Sequence, residues 1–169
     1  TLELRSAVGG MIVDLAPGFE DGAAVAQDAV LIRLDPAETT SARDLAATSV
    51  TEALAEQKAA EADLALAADD LAAAERQRSL REQALTRQQD LRERNLGSDA
   101  AVEEAALALS SAEQSVLSRR QALLQAEARV DNAASALSRA RITLADADRD
   151  LRDTVIRAPF DGRLTDVNV

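Results

Sequence analysis

The hydrophobic pattern divides the chain into a long central segment and two short flanking segments. Between residues 37 and 158, Gly97 is the only glycine or proline. Glycine and proline are the residues that most disfavour a helix interior. The central segment, 36–153, is therefore predicted to form two long helices that are joined by a turn at 95–99.

The second half of the central segment carries a seven-residue repeat of large apolar residues. Its members are Val102, Leu109, Val116, Leu123, Val130, Leu137, Leu144 and Leu151. Alanine follows three residues after most of them, in a row that Arg119 interrupts: Ala105, Ala112, Ala126, Ala133, Ala140 and Ala147. Such a repeat is typical of a coiled-coil seam.

The first half repeats this scheme less regularly. The large row consists of Val50, Leu64, Leu71 and Leu85, and Gln57 and Arg78 interrupt it. The small row consists of Ala46, Ala53, Ala60, Ala67 and Ala74. The two halves are predicted to pair as an antiparallel two-stranded coiled coil.

The predicted turn also sets an expected register for the two helices. If the chain folds back at residue 97, Leu71 faces Ala126 and Ala74 faces Leu123, so that large opposes small in each layer. Beyond Arg78 the apolar positions move to Leu80, Ala84 and Leu91. This change of phase predicts a stutter before the turn.

The expected helix ends follow from capping preferences. Asp35 is an N-cap candidate, a proline occupies the first helical position, and Glu38 is placed to close a capping box. Gly97 can take the left-handed conformation that ends a helix. Ser98 or Asp99 can cap the next helix.

The flanking segments, 1–35 and 154–169, contain short apolar stretches with intervening glycines and prolines, which indicates strands and tight turns. A hairpin has its two ends side by side. The flanks are therefore predicted to be neighbours that form one small β module, into which the helices are inserted. The predicted fold class is α+β.

Composition narrows the possible functions. The net charge of −11 disfavours a nucleic-acid surface, because phosphate binding needs a concentrated basic patch. The absence of Cys and His removes most zinc, haem and triad arrangements, although a carboxylate-only metal site stays open. We predict no enzyme activity, no catalytic residue and no cofactor or metal site. No apolar run is long enough to span a bilayer, so any membrane anchor is expected upstream.

Both β-rich flanks carry motifs, and the one in the second flank is the most specific in the chain. The first flank contains Val8-Gly9-Gly10-Met11-Ile12, Pro17-Gly18, Gly22 and the stretch from Val25 to Asp35. The second contains Thr154-Val155-Ile156-Arg157-Ala158-Pro159-Phe160-Asp161-Gly162-Arg163-Leu164. With the hairpin between them, these motifs resemble the periplasmic adaptor, or membrane fusion protein, family of AcrA-type and HlyD-type proteins.

The resemblance implies a long α-helical hairpin inserted into a split lipoyl-like β module, a barrel-sandwich hybrid. Residues 1–35 would form its first half, 36–153 the hairpin, and 154–169 a truncated second half. Its structural turns would lie at Gly10, Gly18, Gly22, Pro159 and Gly162. A true lipoyl or biotinyl carrier is disfavoured because the one lysine, Lys58, lies deep in the first helix.

The family's hairpin tip carries an Arg, a Leu four residues on and a Ser seven residues beyond that. Arg87, Leu91 and Ser98 have this spacing. The resemblance implies that they dock onto a TolC-like outer-membrane channel. Without the resemblance, the alternatives are that Arg87 is a solvated helix charge, Leu91 a core residue and Ser98 an N-cap. The sequence departs from the family at Asp28, where Gly is usual, and at Ala101, where Glu is frequent.

The implied function is an adaptor that links an inner-membrane transporter, of RND, ABC or MFS type, to a TolC-like channel for export of drugs or proteins. The implied location is the periplasm, with an inner-membrane anchor in a segment outside this chain. A homo-oligomeric ring, trimer or hexamer, is expected. The alternative is a structural or tethering coiled coil without a channel partner, whose flanks would not complete one β module.

Overall fold

The computed structural model describes residues 3–167 and has an α+β fold with two long helices. The helices are α1 (Ala37–Glu93) and α2 (Asp99–Asp153). The chain divides into two compact units, one of residues 1–52 with 137–169 and the other of residues 53–136. The predicted hairpin of two long helices with small sheets is confirmed.

Among its described residues, 3–52 and 137–167, the first unit contains five short strands. They are β1 (Ile12–Leu15), β2 (Ala24–Val25), β3 (Val30–Leu34), β4 (Val155–Arg157) and β5 (Gly162–Arg163). Three of them form an antiparallel sheet in the order β1-β3-β4, and β2 pairs with β5. Strands from the two ends of the sequence are therefore direct neighbours in both sheets.

Hydrogen bonds outside the strands extend this pairing. The backbone N–H of Asp28 donates to the carbonyl oxygen of Ala158 at 2.8 Å, and the N–H of Ala158 donates to Ala29 at 2.9 Å. The N–H of Leu34 donates to the carbonyl of Thr154 at 2.8 Å. Ala158 is 2% exposed, which places it at the centre of this contact. The two flanks thus complete each other's backbone hydrogen bonding.

Helix α1 begins at the predicted cap. The Asp35 carboxylate accepts a hydrogen bond from the N–H of Ala37 at 2.9 Å, as expected of an N-cap. The predicted capping box with Glu38 is wrong, because the N–H of Asp35 donates instead to the carbonyl of Met11 at 2.8 Å. The sheet supplies an acceptor that the local sequence could not reveal.

The predicted seam is confirmed on α2. Each of the eight large apolar residues from Val102 to Leu151 is buried or half-buried. Ala126, in the small row, is 0% exposed. Arg119, which interrupts the small row, is exposed and donates to Asp70 of α1 at 3.0 Å. The arginine thus replaces an apolar contact with an ion pair between the helices.

The predicted register is wrong by one heptad. Because Arg119 pairs with Asp70, Leu71 lies at the level of Arg119 and not of Ala126, which is seven residues away. Arg78 pairs with Glu113 at 3.9 Å, in agreement with this shift. In the predicted register, Arg78 and Arg119 would have shared one layer. The observed register separates these like charges and still sets large residues against small ones.

An ion pair between the start of α1 and the end of α2 fits the same register. Arg43 donates to Asp148 at 3.1 Å and also to Asp44 at 3.1 Å. The hydrogen bond to Asp148 is the largest cause that raises the pKa of Arg43 above its ordinary value. The Arg43 guanidinium, which is protonated in any case, forms an ion pair between the two helices near the sheet.

The predicted stutter is also wrong. Leu80 is 59% exposed and Leu91 is 39% exposed, so neither belongs to the seam. Leu85 and Gln88 are half-buried instead, and both continue the earlier heptad rows. Of the three predicted positions only Ala84 is half-buried, beside Leu85, so the half-buried residues keep the angular phase of the earlier heptads. The leucines outside that phase are left on the surface.

Asp28 lies in the turn before β3, at the position where the sequence resemblance implied a glycine. Its φ is 63°, in the left-handed region, and its carbonyl oxygen accepts a hydrogen bond from Arg157 at 3.1 Å. Aspartate tolerates this conformation better than most L-residues do. The turn conformation is therefore kept although the glycine is absent.

Candidate docking site at the hairpin tip

The end of α1 is defined by Asn95, not by Gly97 as the sequence predicted. Asn95 has a φ of 58°, and its N–H donates to the carbonyl of Arg92 at 2.9 Å. The N–H of Leu96 donates to the carbonyl of Leu91 at 2.8 Å. These two bonds form a Schellman motif in which asparagine takes the left-handed position that glycine more often occupies.

Gly97 is required for a different reason. A Cβ at this position would lie 3.0 Å from the backbone nitrogen of Arg92 and 3.3 Å from the Cβ of Leu91. The turn therefore returns so closely to the last turn of α1 that an added side chain would force its neighbours to shift by a few tenths of an ångström. Glycine allows this close approach of backbone to backbone.

Gly97→Ala is expected to lower the free energy of unfolding by about 1–3 kcal/mol, because the backbone must move to admit the added methyl group. Denaturant titration followed by far-UV circular dichroism measures the change. The matched control is Gly9→Ala, since a Cβ at Gly9 meets nothing within 4 Å. Equal stability of the two variants would contradict the proposed steric role of Gly97.

Ser98 is the N-cap of α2. Its hydroxyl accepts a hydrogen bond from the N–H of Ala101 at 3.2 Å, and its carbonyl accepts one from Val102 at 3.3 Å. The next residue, Asp99, forms an ion pair with Arg92 of α1. Of the two cap candidates, Ser98 thus caps the helix and Asp99 joins the helix ends.

The three candidate docking residues all lie in the unit that contains the turn. Arg87 is exposed on α1, and Leu91 is 39% exposed one turn nearer the tip. Ser98 is exposed at the start of α2. Leu91 is therefore not a core residue, which removes one of the alternative interpretations. Ser98 caps its helix and also presents its hydroxyl to solvent.

Leu96 is a feature that the sequence reasoning missed. It is 74% exposed and lies in the turn between Asn95 and Gly97. In a Schellman motif the residue at this position often contacts the last turn of the helix. The sequence signal for this exposed leucine was its position between Asn95 and Gly97, two residue types that favour turns. Leu96 adds a second exposed leucine, after Leu91, to the tip.

The turn residues expected from the family resemblance lie in the first unit. Gly18 and Gly22 have positive φ values of 77° and 86° and lie in turns. Gly10 precedes β1, and Pro159 lies between β4 and β5. Gly162 follows the bend at 159–161, opens β5 and pairs with Val25.

Within residues 3–167, no group of three or more Asp, Glu, His or Cys side chains is arranged to hold a metal ion. Over the same residues, neither helix contains a stretch that is long and apolar enough to cross a bilayer. The exposed groups at the tip are arginines, carboxylates, a hydroxyl and two leucines.

Comparison with solved structures finds several similar folds. The periplasmic adaptor protein EmrA is 16% identical with a TM-score of 0.43, over 91% of this chain and 62% of EmrA. MacA from Actinobacillus actinomycetemcomitans is 18% identical with a TM-score of 0.48, over 96% of this chain and 41% of MacA. The membrane fusion protein Spr0693 from Streptococcus pneumoniae R6 is 14% identical with a TM-score of 0.39, over 94% and 46%.

The solved structures similar to this chain thus include a periplasmic adaptor protein and a membrane fusion protein, the kind of protein that the sequence resembles. This chain spans less than two thirds of each of the three. No protein-family model and no curated protein matches the sequence.

Proposed function

We propose that this chain is the hairpin-bearing part of a periplasmic adaptor that links an inner-membrane transporter to a TolC-like outer-membrane channel. One observation carries the proposal. Helix α1 leaves from β3, α2 leads into β4, and these two strands pair antiparallel. The hairpin is thus an insertion between neighbouring strands of one sheet, which is the arrangement that the family resemblance implies.

The β segments are proposed to belong to a split lipoyl-like module. Each of the two sheets combines strands from both flanks of the hairpin, as β3 with β4 and β2 with β5. A tethering coiled coil would have no need to complete a β module from its two flanks. The pairing of the flanks therefore favours the adaptor over the tether.

The proposed docking surface consists of Arg87, Leu91 and Ser98. The three lie between residues 87 and 98, beside or in the turn at 95–99, and are exposed. The cation, the leucine and the hydroxyl together suit a contact with the polar, helical end of a channel. Leu91 supplies the apolar contact, and Arg87 supplies charge-assisted hydrogen bonds to carboxylates or carbonyls.

The proposed mechanism is mechanical. Several copies assemble head-to-tail into a closed ring, trimer or hexamer, and their tips hold the channel. Substrate passes through the ring, driven by a transporter of RND, ABC or MFS type. The adaptor performs no chemistry on the substrate, and its proposed location is the periplasm.

Site-directed cross-linking tests the docking contact directly. The chain contains no cysteine, so Ser98→Cys introduces a single thiol that differs from serine by one atom. With cysteines placed at the helical tips of a TolC-like channel, oxidation in intact cells is expected to link the two proteins. The measurement is the mass of the disulfide-linked product under non-reducing conditions.

Ser138→Cys is the matched control for this experiment. Ser138 is an exposed serine of the same helix and lies far along the sequence from the turn. It is expected to give no product with the channel. The docking proposal fails if Ser98→Cys gives no more product than Ser138→Cys at any channel position.

A further inference from the structure

Two exposed surfaces of the second unit lie on opposite outer edges of the hairpin. Gln83 of α1 stands two residues before the seam residue Leu85, and Leu107 of α2 stands two before the seam residue Leu109. Two residues correspond to a rotation of about 200° around a helix. Both side chains therefore point away from the seam, on different helices.

The outer edge of α1 contains a shallow hollow. It is lined by Ser79, Glu82, Gln83, Thr86 and Arg87. The first four have the spacing i, i+3, i+4, i+7, which forms a hole that accepts a side chain from a facing helix. Small hydroxyl residues at two corners leave room for an incoming group.

The outer edge of α2 offers a matching side chain. Leu107 is 68% exposed, although the residues around it on this edge are polar. A large exposed leucine is unfavourable in water, and inserting it into a hole on another helix would remove most of its apolar surface from solvent. Leu107 cannot reach the hole of its own molecule, because that hole lies on the opposite outer edge of the hairpin.

The hole and Leu107 lie at the same height along the hairpin. Arg92 pairs with Asp99, and Arg78 pairs with Glu113. Residue 83 lies five residues from Arg78, and residue 107 lies six residues from Glu113, in each case toward the tip. A rotation about an axis along the hairpins keeps heights equal, so a neighbouring copy in a ring would bring Leu107 to this hole.

Charge is complementary across the same contact. Arg87 borders the hole, and by the same ion pairs it lies at the height of Glu103 and Glu104 of α2. In the part of the chain that the structure describes, none of these three side chains forms an ion pair. An arginine on one edge would thus meet glutamates on the other, which fixes the orientation of the partner.

The geometry points to a second copy of this chain as the occupant of this surface: Leu107 of one copy inserts into the hole formed by Ser79, Glu82, Gln83 and Thr86 of the next. Glu103 and Glu104 then face Arg87 beside that hole. The contact is head-to-tail, so it repeats from copy to copy. This inference rests on the ring in the proposed function and assigns the residues through which adjacent hairpins meet.

The cysteine-free sequence allows a clean test with Gln83→Cys and Leu107→Cys in one chain. Oxidation of the otherwise intact protein in cells is expected to give a ladder of covalent oligomers. Each single variant should give no ladder, because a disulfide across this contact needs one cysteine at position 83 and one at position 107. The control pair combines Gln83→Cys with Ser135→Cys, since Ser135 lies on the same edge of α2, four heptads from Leu107.

The outcomes separate this contact from the wider proposal. A ladder from the pair at 83 and 107, with none from the control pair, supports the contact. Oligomers that persist in Leu107→Asp, together with no ladder from the pair at 83 and 107, overturn this contact and leave the ring intact. A wild-type protein that stays monomeric in cells overturns the ring as well, whereas channel docking is judged separately by Ser98→Cys.

Discussion

Arg87→Asp is expected to reduce export to the level of cells that lack this protein. The substitution reverses the charge of the exposed cation in the proposed docking surface. A misplaced like charge across a protein interface costs several kcal/mol, which corresponds to a loss of affinity of about a hundredfold or more. Export of a transported substrate and channel cross-linking from position 98 are the measurements.

Two variants distinguish the reasons for such a loss. Arg141→Asp makes the same change at an exposed arginine of α2 outside the tip and is expected to preserve export. Arg87→Asp combined with Glu103→Arg restores a charge pair between neighbouring copies but not a contact with the channel. Recovery of export in this double variant would assign Arg87 to the contact between copies and contradict its docking role.

Leu137→Ala is expected to lower the free energy of unfolding by about 2–3 kcal/mol. Leu137 is 5% exposed, in the large seam row of α2. Truncating a buried leucine removes apolar burial and leaves a cavity, at a cost of about 2–5 kcal/mol. The lower part of that range applies because a seam between two helices buries each leucine against few neighbours. Denaturant titration followed by circular dichroism gives the value.

Leu124→Ala is the matched control on the same helix. Leu124 is 59% exposed, so the same truncation removes little buried surface. Its expected effect is within about 0.5 kcal/mol. Similar losses in the two variants would show that the heptad row through Leu137 does not form the stabilising seam.

The sequence predicted the helical hairpin well because the signals were local and repeated. The long stretches without glycine or proline, the cap at Asp35 and the eight-residue heptad row through Leu137 each favoured the same structure. Agreement among independent local preferences is what makes a sequence specify one fold. The neighbouring position of the two β flanks followed from the geometry of a hairpin.

The tip was predicted less completely. Ser98 was correctly considered as a cap, but the helix end was assigned to Gly97 although Asn95 has the left-handed conformation. Both residue types tolerate positive φ, so composition alone could not choose between them. Glycine is favoured at residue 97 by its close approach to Arg92 instead, and this approach exists only once the turn is folded.

By itself the sequence determined that two long helices form, where they start and which of their faces meet. Those properties depend on neighbours along the chain and on the heptad period. The tertiary structure alone decided the register of α1 against α2, because a repeat of seven residues fits equally well after a shift of seven. The pairs that Arg78 forms with Glu113 and Arg119 with Asp70 across the helices belong to the observed register, which also keeps the two cations apart.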